Sequence, residues 1–255
     1  MNYQEDKKKH LFRKVLLGIF AVFIVLGIAS FIYIKDYYHA DHAAIDEYRV
    51  KIGYKIPTET LGNGYKVYAP EGATTGLIFY PGGKVEYTSY EPLMETCASY
   101  GILCILVEMP GNLAVFNRNA ADGLQEQYPK ITSWYIGGHS LGGAMAASYV
   151  ADNSDTFNGL VLLGAYSTKD LKDTDLHVLS IYGSEDQVLN RKKYEEYKSN
   201  LPTDYQEVVI EGGCHAGFGM YGVQKGDGTP TITNEEQISQ TALQILNMIE
   251  MNSNE

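Results

Sequence analysis

The sequence predicts an α/β domain, a mostly parallel sheet with helices on both faces, preceded by one membrane-spanning helix. Two observations support this fold class. Short apolar runs alternate with helical patterns along most of the chain, which is typical of parallel sheets whose strands are buried on both faces. An uncharged apolar segment, residues 15–34, precedes this pattern and has about the 20 residues that a helix needs to cross a bilayer.

The composition is that of a globular protein with an acidic balance. The chain has 255 residues, 45% of them hydrophobic, and a net charge of −11. Because binding to nucleic acid rests on neutralising phosphates, this charge argues against a nucleic-acid partner. The three cysteines are widely spaced and form neither a disulfide framework nor a zinc-binding pattern.

The N-terminal region predicts a single-pass anchor. We expect a basic tail over residues 1–14, a transmembrane helix over 15–34, a juxtamembrane linker over 35–43 and the folded domain over 44–255. Basic residues on the N-terminal side of the apolar segment place that side in the cytoplasm and the domain outside the cell membrane; these are Lys7, Lys8, Lys9, Arg13 and Lys14. A signal peptide is the competing interpretation, but its apolar core is normally shorter and is followed by a cleavage site.

The order of elements is that of one sheet domain. Two short alternating segments, Glu47–Ile52 and Tyr65–Tyr68, predict an antiparallel edge. Six apolar runs predict the remaining strands: Gly76–Tyr80, Ile102–Glu108, Ser133–Ile136, Leu160–Leu163, Val178–Tyr182 and Val208–Ile210. Five helical patterns lie between or after them: Tyr90–Tyr100, Asn117–Tyr128, Leu141–Ala151, Arg191–Ser199 and Glu235–Met251. In such sheets the active site lies at the carboxyl ends of the strands.

The segment GGHSLGG, residues 137–143, connects a predicted strand to a predicted helix. It contains G-x-S-x-G centred on Ser140, which is typical of a strand–turn–helix elbow that exposes a nucleophilic serine. The spacing fits neither a P-loop nor a dinucleotide-binding loop. We therefore predict that Ser140 is a nucleophile rather than part of a phosphate cradle.

A serine nucleophile needs a base, and the base needs a partner that orients it. In this architecture the acid and then the histidine follow the serine, each after a later strand. Asp186 follows the strand VLSIY, and His215 lies in the loop after the last strand. Other acidic residues near the same position along the chain are alternatives for the acid: Glu185, Asp170, Asp173 and Asp175.

The tetrahedral intermediate of acyl transfer also needs hydrogen-bond donors for its oxyanion. The backbone amide of Leu141, directly after the nucleophile, is the first predicted donor. The second should come from the loop YPGGKVEY after the first long strand. Pro81 has no amide proton, so this donor is Gly82 or Gly83.

The motifs YPGGKVEY, VEMPGNLAVFN, GGHSLGGAMA, LSIYGSEDQV and EGGCHAGFGMYGVQKGDG resemble those of the α/β-hydrolase superfamily. The similarity is greatest to a compact bacterial branch grouped with dienelactone hydrolase (carboxymethylenebutenolidase)-like proteins. The resemblance implies an α/β-hydrolase fold and a catalytic triad. Dienelactone hydrolases use a cysteine nucleophile where this chain has Ser140, and the branch commonly has asparagine where this chain has Cys214. Either Cys214 only fills space, or its oxidation perturbs His215.

Only about a dozen residues, 164–175, join the strand after the elbow helix to the next strand, which leaves no room for a lid domain. We therefore expect an open pocket. The candidate pocket residues are Tyr80, Glu108, Asn112, Phe116, Tyr166 and Phe218.

The function predicted from these motifs is that of a membrane-anchored serine hydrolase. Its substrate would be a small-molecule carboxylic ester, or a thioester or amide, and its chemistry would use neither a cofactor nor a metal. An acyltransferase with the same triad is a close alternative. A non-catalytic binding or scaffolding domain on the same fold is the alternative from another class. The sequence leaves the oligomeric state open.

Overall fold

The computed structural model describes residues 3–252, and the chain divides between Tyr37 and Tyr38 into two units. The N-terminal unit is one helix, α1 (Tyr3–Lys35). Within it, residues 9–35 are long and apolar enough to cross a membrane, although a signal sequence has the same properties. The described side chains of this stretch are not buried against protein.

The second unit begins with a helix where the sequence analysis predicts a strand. The prediction for Glu47–Ile52 is wrong, because these residues belong to α2 (His42–Ile52). Asp41 caps this helix by accepting a hydrogen bond from the amide of Ala44, and Gly53 ends it in a left-handed conformation. Ile45 and Tyr48, three residues apart, face the core, whereas Val50 is exposed. The buried residues therefore follow helical spacing, and the alternating apolar residues that suggest a strand are not all buried.

A buried ion-pair cluster holds α2 against the domain. Arg49 donates a hydrogen bond of 2.7 Å to Glu95 and also pairs with Glu91. Both carboxylates lie on α3 (Glu91–Ser99) and are almost fully buried. Because an unpaired buried carboxylate is costly, this contact ties the position of α2 to that of α3.

One eight-stranded sheet forms the centre of this unit, with the strand order β1-β2-β4-β3-β5-β6-β7-β8. The antiparallel pairs are β1 with β2 and β2 with β4, and all other neighbours are parallel. The strands are β1 Thr58–Thr60, β2 Lys66–Tyr68, β3 Thr75–Tyr80, β4 Ile102–Leu106, β5 Ser133–His139, β6 Gly159–Leu163, β7 His177–Gly183 and β8 Gln206–Ile210.

Helices cover both faces of the sheet, as predicted. Side chains of α2, α3 and α6 (Asn234–Asn252) form the core on one face, and those of α4 (Leu141–Val150) form the core on the other. The remaining helix is α5 (Arg191–Tyr197). Short 3-10 turns occur at Tyr87–Tyr90, Pro110–Asn112, Ala114–Phe116, Gln125–Gln127, Ser154–Thr156, Lys198–Asn200 and Ala216–Phe218.

The predicted helix Asn117–Tyr128 is the second error. This segment is a series of turns that includes one 3-10 turn near its end. The hydroxyl of the buried Tyr80 donates to the carbonyl of Arg118 and accepts from the amide of Ala121. Gly123 has a φ of +72°, which also breaks helical geometry. These tertiary hydrogen bonds take the place of bonds that a helix would make within itself.

Candidate active site

The chain turns sharply at Ser140, between β5 and α4. Ser140 has φ and ψ of 52° and −120°, a strained combination for a residue with a side chain, which costs about 1–3 kcal/mol. Its amide donates a hydrogen bond of 2.9 Å to the carbonyl of Leu163 at the end of β6. This turn places Ser140 directly after the carboxyl end of β5.

Two glycines of the GGHSLGG segment allow this turn to lie against β3. A side-chain carbon on Gly138 would lie 2.6 Å from the carbonyl oxygen of Tyr80. One on Gly142 would collide with the carbonyl oxygens of Tyr80 and Pro81. The glycines are therefore required by the close backbone approach, not by flexibility of the loop.

Asp186 and His215 meet in a buried hydrogen bond. His215 Nδ1 lies 2.8 Å from Asp186 Oδ2, and the two side chains are 1% and 0% exposed. The other oxygen of Asp186 accepts hydrogen bonds from the amides of Val188 and Leu189. His215 Nε2 is buried and has no hydrogen-bond partner among the described residues. The ring thus has one nitrogen fixed by a carboxylate and the other available to a group in the site.

The alternative acids do not make this contact. Glu185 accepts a hydrogen bond from the hydroxyl of Ser184, and Asp170 pairs with Lys172. Asp173 and Asp175 lie at a depression beside His177, which begins β7, whereas Asp186 follows the end of that strand. Of the acidic residues considered from the sequence, the structure brings Asp186 to His215.

The loop after β3 presents two glycines with different surroundings. The amide of Gly82 is buried and donates to the hydroxyl of Tyr90 at 3.2 Å. Gly83 is partly exposed, and a side-chain carbon on it would lie 2.8 Å from Leu141 Cδ2. Leu141 is the first residue of α4, where amides have no partner within the helix. Gly83 therefore lies against Leu141, whereas the amide of Gly82 is already bonded to Tyr90.

A second histidine, His139, lies directly behind His215. The centroids of the two rings are 4.4 Å apart, and His139 Nδ1 lies 2.7 Å from the hydroxyl of Tyr90. Burial, together with the nearby His215, lowers the pKa of His139 well below its usual value. His139 is therefore neutral at ordinary pH.

Ser140 and His215 line the same cavity, which has a volume of about 360 Å³. Most of its other lining residues are apolar and come from α4 and from the loops after β6 and β7. They are Leu141, Ala144, Met145, Gly164, Ala165, Tyr166, Thr168, Val188, Leu189 and Asn190. Tyr166 is the one candidate pocket residue from the sequence analysis in this lining.

The other five candidates lie elsewhere. Tyr80 and Phe218 are fully buried, Tyr80 among the turns after residue 117 and Phe218 against the ring of His139. Asn112 uses its carbonyl to accept from Lys84, and Phe116 is 59% exposed. Glu108 lies beside the turn at residue 64, two residues after the end of β4, and β3 separates β4 from β5. Position along the chain cannot distinguish these environments.

Two side chains that the sequence analysis missed fix the backbone on either side of His215. Gln237, almost fully buried on α6, accepts from the amide of Cys214 and donates to its carbonyl. Asp227 accepts from the amide of Ala216 with one oxygen and from the amide of Gln187 with the other. Asp227 therefore connects the loop of His215 to the loop of Asp186. The sequence places it in a glycine-rich segment, where a carboxylate gives no signal beyond that of a turn residue.

The thiol of Cys214 is buried beside Asp227. Its burial, together with the negative charge of Asp227, raises the pKa of the thiol to about 12. Because the thiolate is the form that is readily oxidised, these surroundings favour the interpretation that Cys214 fills space.

Comparison with known proteins agrees with this fold. The model of a family described as "Alpha/beta hydrolase family" matches residues 76–239, more than half of the chain. A CIB-like hydrolase from Thermoplasma acidophilum is 16% identical with a TM-score of 0.55, over 76% of this chain and 99% of that one. Dienelactone hydrolase from Anabaena variabilis is 16% identical with a TM-score of 0.55, over 76% of this chain and 96% of that one. Est1E from Butyrivibrio proteoclasticus is 14% identical with a TM-score of 0.55, over 76% of this chain and 98% of that one. These structures share the fold. No curated protein sequence matches the chain.

We predict that Asp227→Asn lowers the turnover of an ester substrate about tenfold, which corresponds to about 1.4 kcal/mol, and changes KM little. Asparagine keeps one acceptor oxygen, so the amide of either Ala216 or Gln187 loses its partner. Steady-state kinetics and thermal unfolding of the full chain measure the effect. Asp204→Asn is the matched control, because Asp204 is exposed and precedes the amino end of β8. Parental kinetics for Asp227→Asn would show that this carboxylate does not position the two loops.

Proposed function

This chain belongs to the alpha/beta hydrolase family, and we propose that within it the protein is a serine hydrolase that cleaves a carboxylic ester. One observation carries this proposal. The strained Ser140 and the buried Asp186–His215 pair border one cavity, and a serine, a histidine and an acid that orients it are the groups that nucleophilic catalysis by serine uses.

In the first half of the reaction, Ser140 Oγ attacks the ester carbonyl carbon while His215 Nε2 takes the serine proton. The carbonyl oxygen becomes an oxyanion, which accepts hydrogen bonds from the amides of Leu141 and Gly83. When the tetrahedral intermediate collapses, the bond to the leaving alcohol breaks and His215 gives that alcohol its proton. The product is an acyl-enzyme on Ser140.

In the second half, water replaces the alcohol. His215 Nε2 removes a proton from the water as its oxygen attacks the acyl carbon, and a second oxyanion forms at the same two amides. Collapse releases the carboxylic acid, and His215 returns its proton to Ser140 Oγ. Asp186 accepts from Nδ1–H throughout, which keeps Nε2 free to accept and stabilises the charged ring.

The lining of the cavity favours an uncharged acyl group. Apart from His215, the residues that border it carry no ionisable group other than the phenol of Tyr166. A carboxylate on the substrate would lose water without gaining a cationic partner, and burying an unpaired charge is expensive. A volume of about 360 Å³ lies at the small end of ligand sites, so we propose small neutral esters as substrates.

The N-terminal helix is proposed to be a retained anchor, with residues 1–14 in the cytoplasm and the hydrolase domain outside the cell. Basic residues before the apolar stretch support this orientation. The unit that folds around the sheet begins at Tyr38, so we propose a shorter linker than residues 35–43.

Asp186→Asn should keep the fold and the affinity for substrate but lower turnover by about 10⁴-fold, because the amide favours the wrong tautomer of His215. The loss should shrink at high pH, where serine ionises more readily. A pH–rate profile measures both effects, with Asp173→Asn as the control because Asp173 lies near the other end of β7. Parental turnover for Asp186→Asn would exclude its assignment as the acid.

Selectivity for neutral acyl groups can be measured with two esters of equal length, p-nitrophenyl hexanoate and the p-nitrophenyl half-ester of adipate. We predict a kcat/KM at least about tenfold higher for the hexanoate, or about 1.4 kcal/mol. Thr168→Lys, which adds a cation to the wall of the cavity, should lower the ratio of kcat/KM for the hexanoate to that for the adipate half-ester. Thr203→Lys, before the amino end of β8, should leave it unchanged. Equal rates for the two esters would contradict the proposed substrate class.

The orientation in the membrane can be tested by cysteine labelling, because all three native cysteines are buried. In Val223→Cys the new thiol replaces a side chain that is 89% exposed, so a membrane-impermeant maleimide should label it in intact cells. Lys9→Cys should be labelled only after permeabilisation. The reverse pattern would invert the topology, and a mature chain that begins after residue 34 would identify a cleaved signal.

A further inference from the structure

Residues 38–41, which we name the strap, pair with the loop that carries Gly83. The amide of Tyr38 donates to the carbonyl of Lys84, and the amide of Glu86 donates to the carbonyl of Tyr38, both at 2.8 Å. The amide of Ala40 donates to the carboxylate of Glu86 at 3.1 Å. The strap thus adds a short parallel pairing to the chain directly after Gly83.

The same four residues also contact the loop that follows His215. The amide of Asp41 donates to the carbonyl of Met220 at 2.8 Å, and the hydroxyl of Tyr38 accepts from the amide of Lys225 at 3.0 Å. The ring of Tyr38 packs against Tyr221, with 5.7 Å between the centroids. One short segment therefore contacts both loops that the proposed reaction uses.

The bond from the strap lies next to a strained residue. Lys84 has a φ of +59°, which is unfavourable for a residue with a Cβ. Its amide is held by the carbonyl of Asn112 at 2.8 Å, and its carbonyl is held by the amide of Tyr38. Strain of this kind persists only where the surrounding contacts enforce it. Loss of the strap removes one of these two bonds and frees the carbonyl of Lys84, so that only one side of this strained residue next to Gly83 keeps its hydrogen bond.

A chain of aromatic rings supports the other side of the same loop. Tyr38 packs on Tyr221, and Tyr221 lies 6.3 Å from Tyr90 between centroids. The hydroxyl of Tyr90 accepts from the amide of Gly82 and contacts His139. The strap is thus coupled to Gly82 through side chains and to Lys84 through the backbone, and Gly83 lies between them.

We propose that the strap is a positioning element of the active site, which sets the amide of Gly83 for oxyanion binding and fixes the loop of His215. This inference rests on the proposed function. Its consequence is that the segment next to the membrane helix belongs to the catalytic apparatus. A hydrolase domain cut at residue 44, the boundary that the sequence suggests, would lack this element.

The test uses the full chain in detergent and two insertions of the same dipeptide. Gly-Ser inserted between Tyr38 and His39 separates the contacts of the strap, whereas Gly-Ser inserted between Asp36 and Tyr37 leaves residues 38–41 intact. A p-nitrophenyl phosphonate, which phosphonylates the active serine and releases coloured p-nitrophenolate, counts the active serines, so that kcat is expressed per reactive site. The strap insertion should lower kcat at least tenfold, with KM within about threefold of the parent. Its affinity for a boronic acid, which mimics the tetrahedral intermediate, should fall in parallel, and the control should match the parent.

A milder pair of variants applies if the strap insertion prevents folding. Glu86→Gln keeps a carbonyl oxygen for the amide of Ala40 and an amide group that can donate to Thr88, and it removes only the charge that faces the exposed His39 and His42, so it should retain parental kcat. Glu86→Ala also removes the contacts with Ala40 and Thr88 and should lose part of kcat and of boronic acid affinity. Equal kcat per titrated site in Glu86→Ala and Glu86→Gln would overturn the inference.

The inference would also be overturned if the strap insertion reduced the number of reactive sites but left kcat per reactive site unchanged. In that case the strap serves stability alone. Failure of the proposed function looks different, because the parent and the control insertion would themselves show neither labelling nor ester turnover.

Discussion

One buried hydrogen bond, between His215 Nδ1 and Asp186 Oδ2, sets the geometry on which the rest of the site depends. Two neutral amides, those of Val188 and Leu189, hold the second oxygen of the carboxylate, so Asp186 can be buried as an acceptor without a cation beside it. The backbone around His215 is fixed from α6 and from the glycine-rich loop that follows it. The sheet contributes by bringing these loops together at the carboxyl ends of β5, β7 and β8.

The environment of this bond also restricts where a proton can go. His139 touches His215 but stays neutral, because burial and the neighbouring ring lower its pKa. The thiol of Cys214 keeps its proton for a similar reason, since burial and Asp227 raise its pKa. In the proposed reaction the proton is exchanged at His215 Nε2, and the groups packed around this ring act as hydrogen-bonding and van der Waals supports.

Much of the fold follows from local sequence patterns, whereas the details of the site follow from tertiary contacts. The strands β3 to β8 are short apolar runs with few alternatives, and the order of Ser140, Asp186 and His215 along them predicts which residues approach one another. The helix α2 was missed because Arg49, Glu91 and Glu95 attach it from distant parts of the chain. The choice between Gly82 and Gly83 as the proposed oxyanion donor depends on the contact of Gly82 with Tyr90. The strap depends mainly on hydrogen bonds donated by main-chain amides, which any residue except proline can make, so the sequence does not predict them.

The central claim is that Ser140 is the nucleophile activated by His215. Labelling of the full chain with a fluorophosphonate, followed by mass spectrometry of its peptides, tests it most directly. The account predicts one modified residue, Ser140, and no labelling of a folded Ser140→Ala chain. Modification of a different residue, or no modification of a protein shown to be folded, would contradict it.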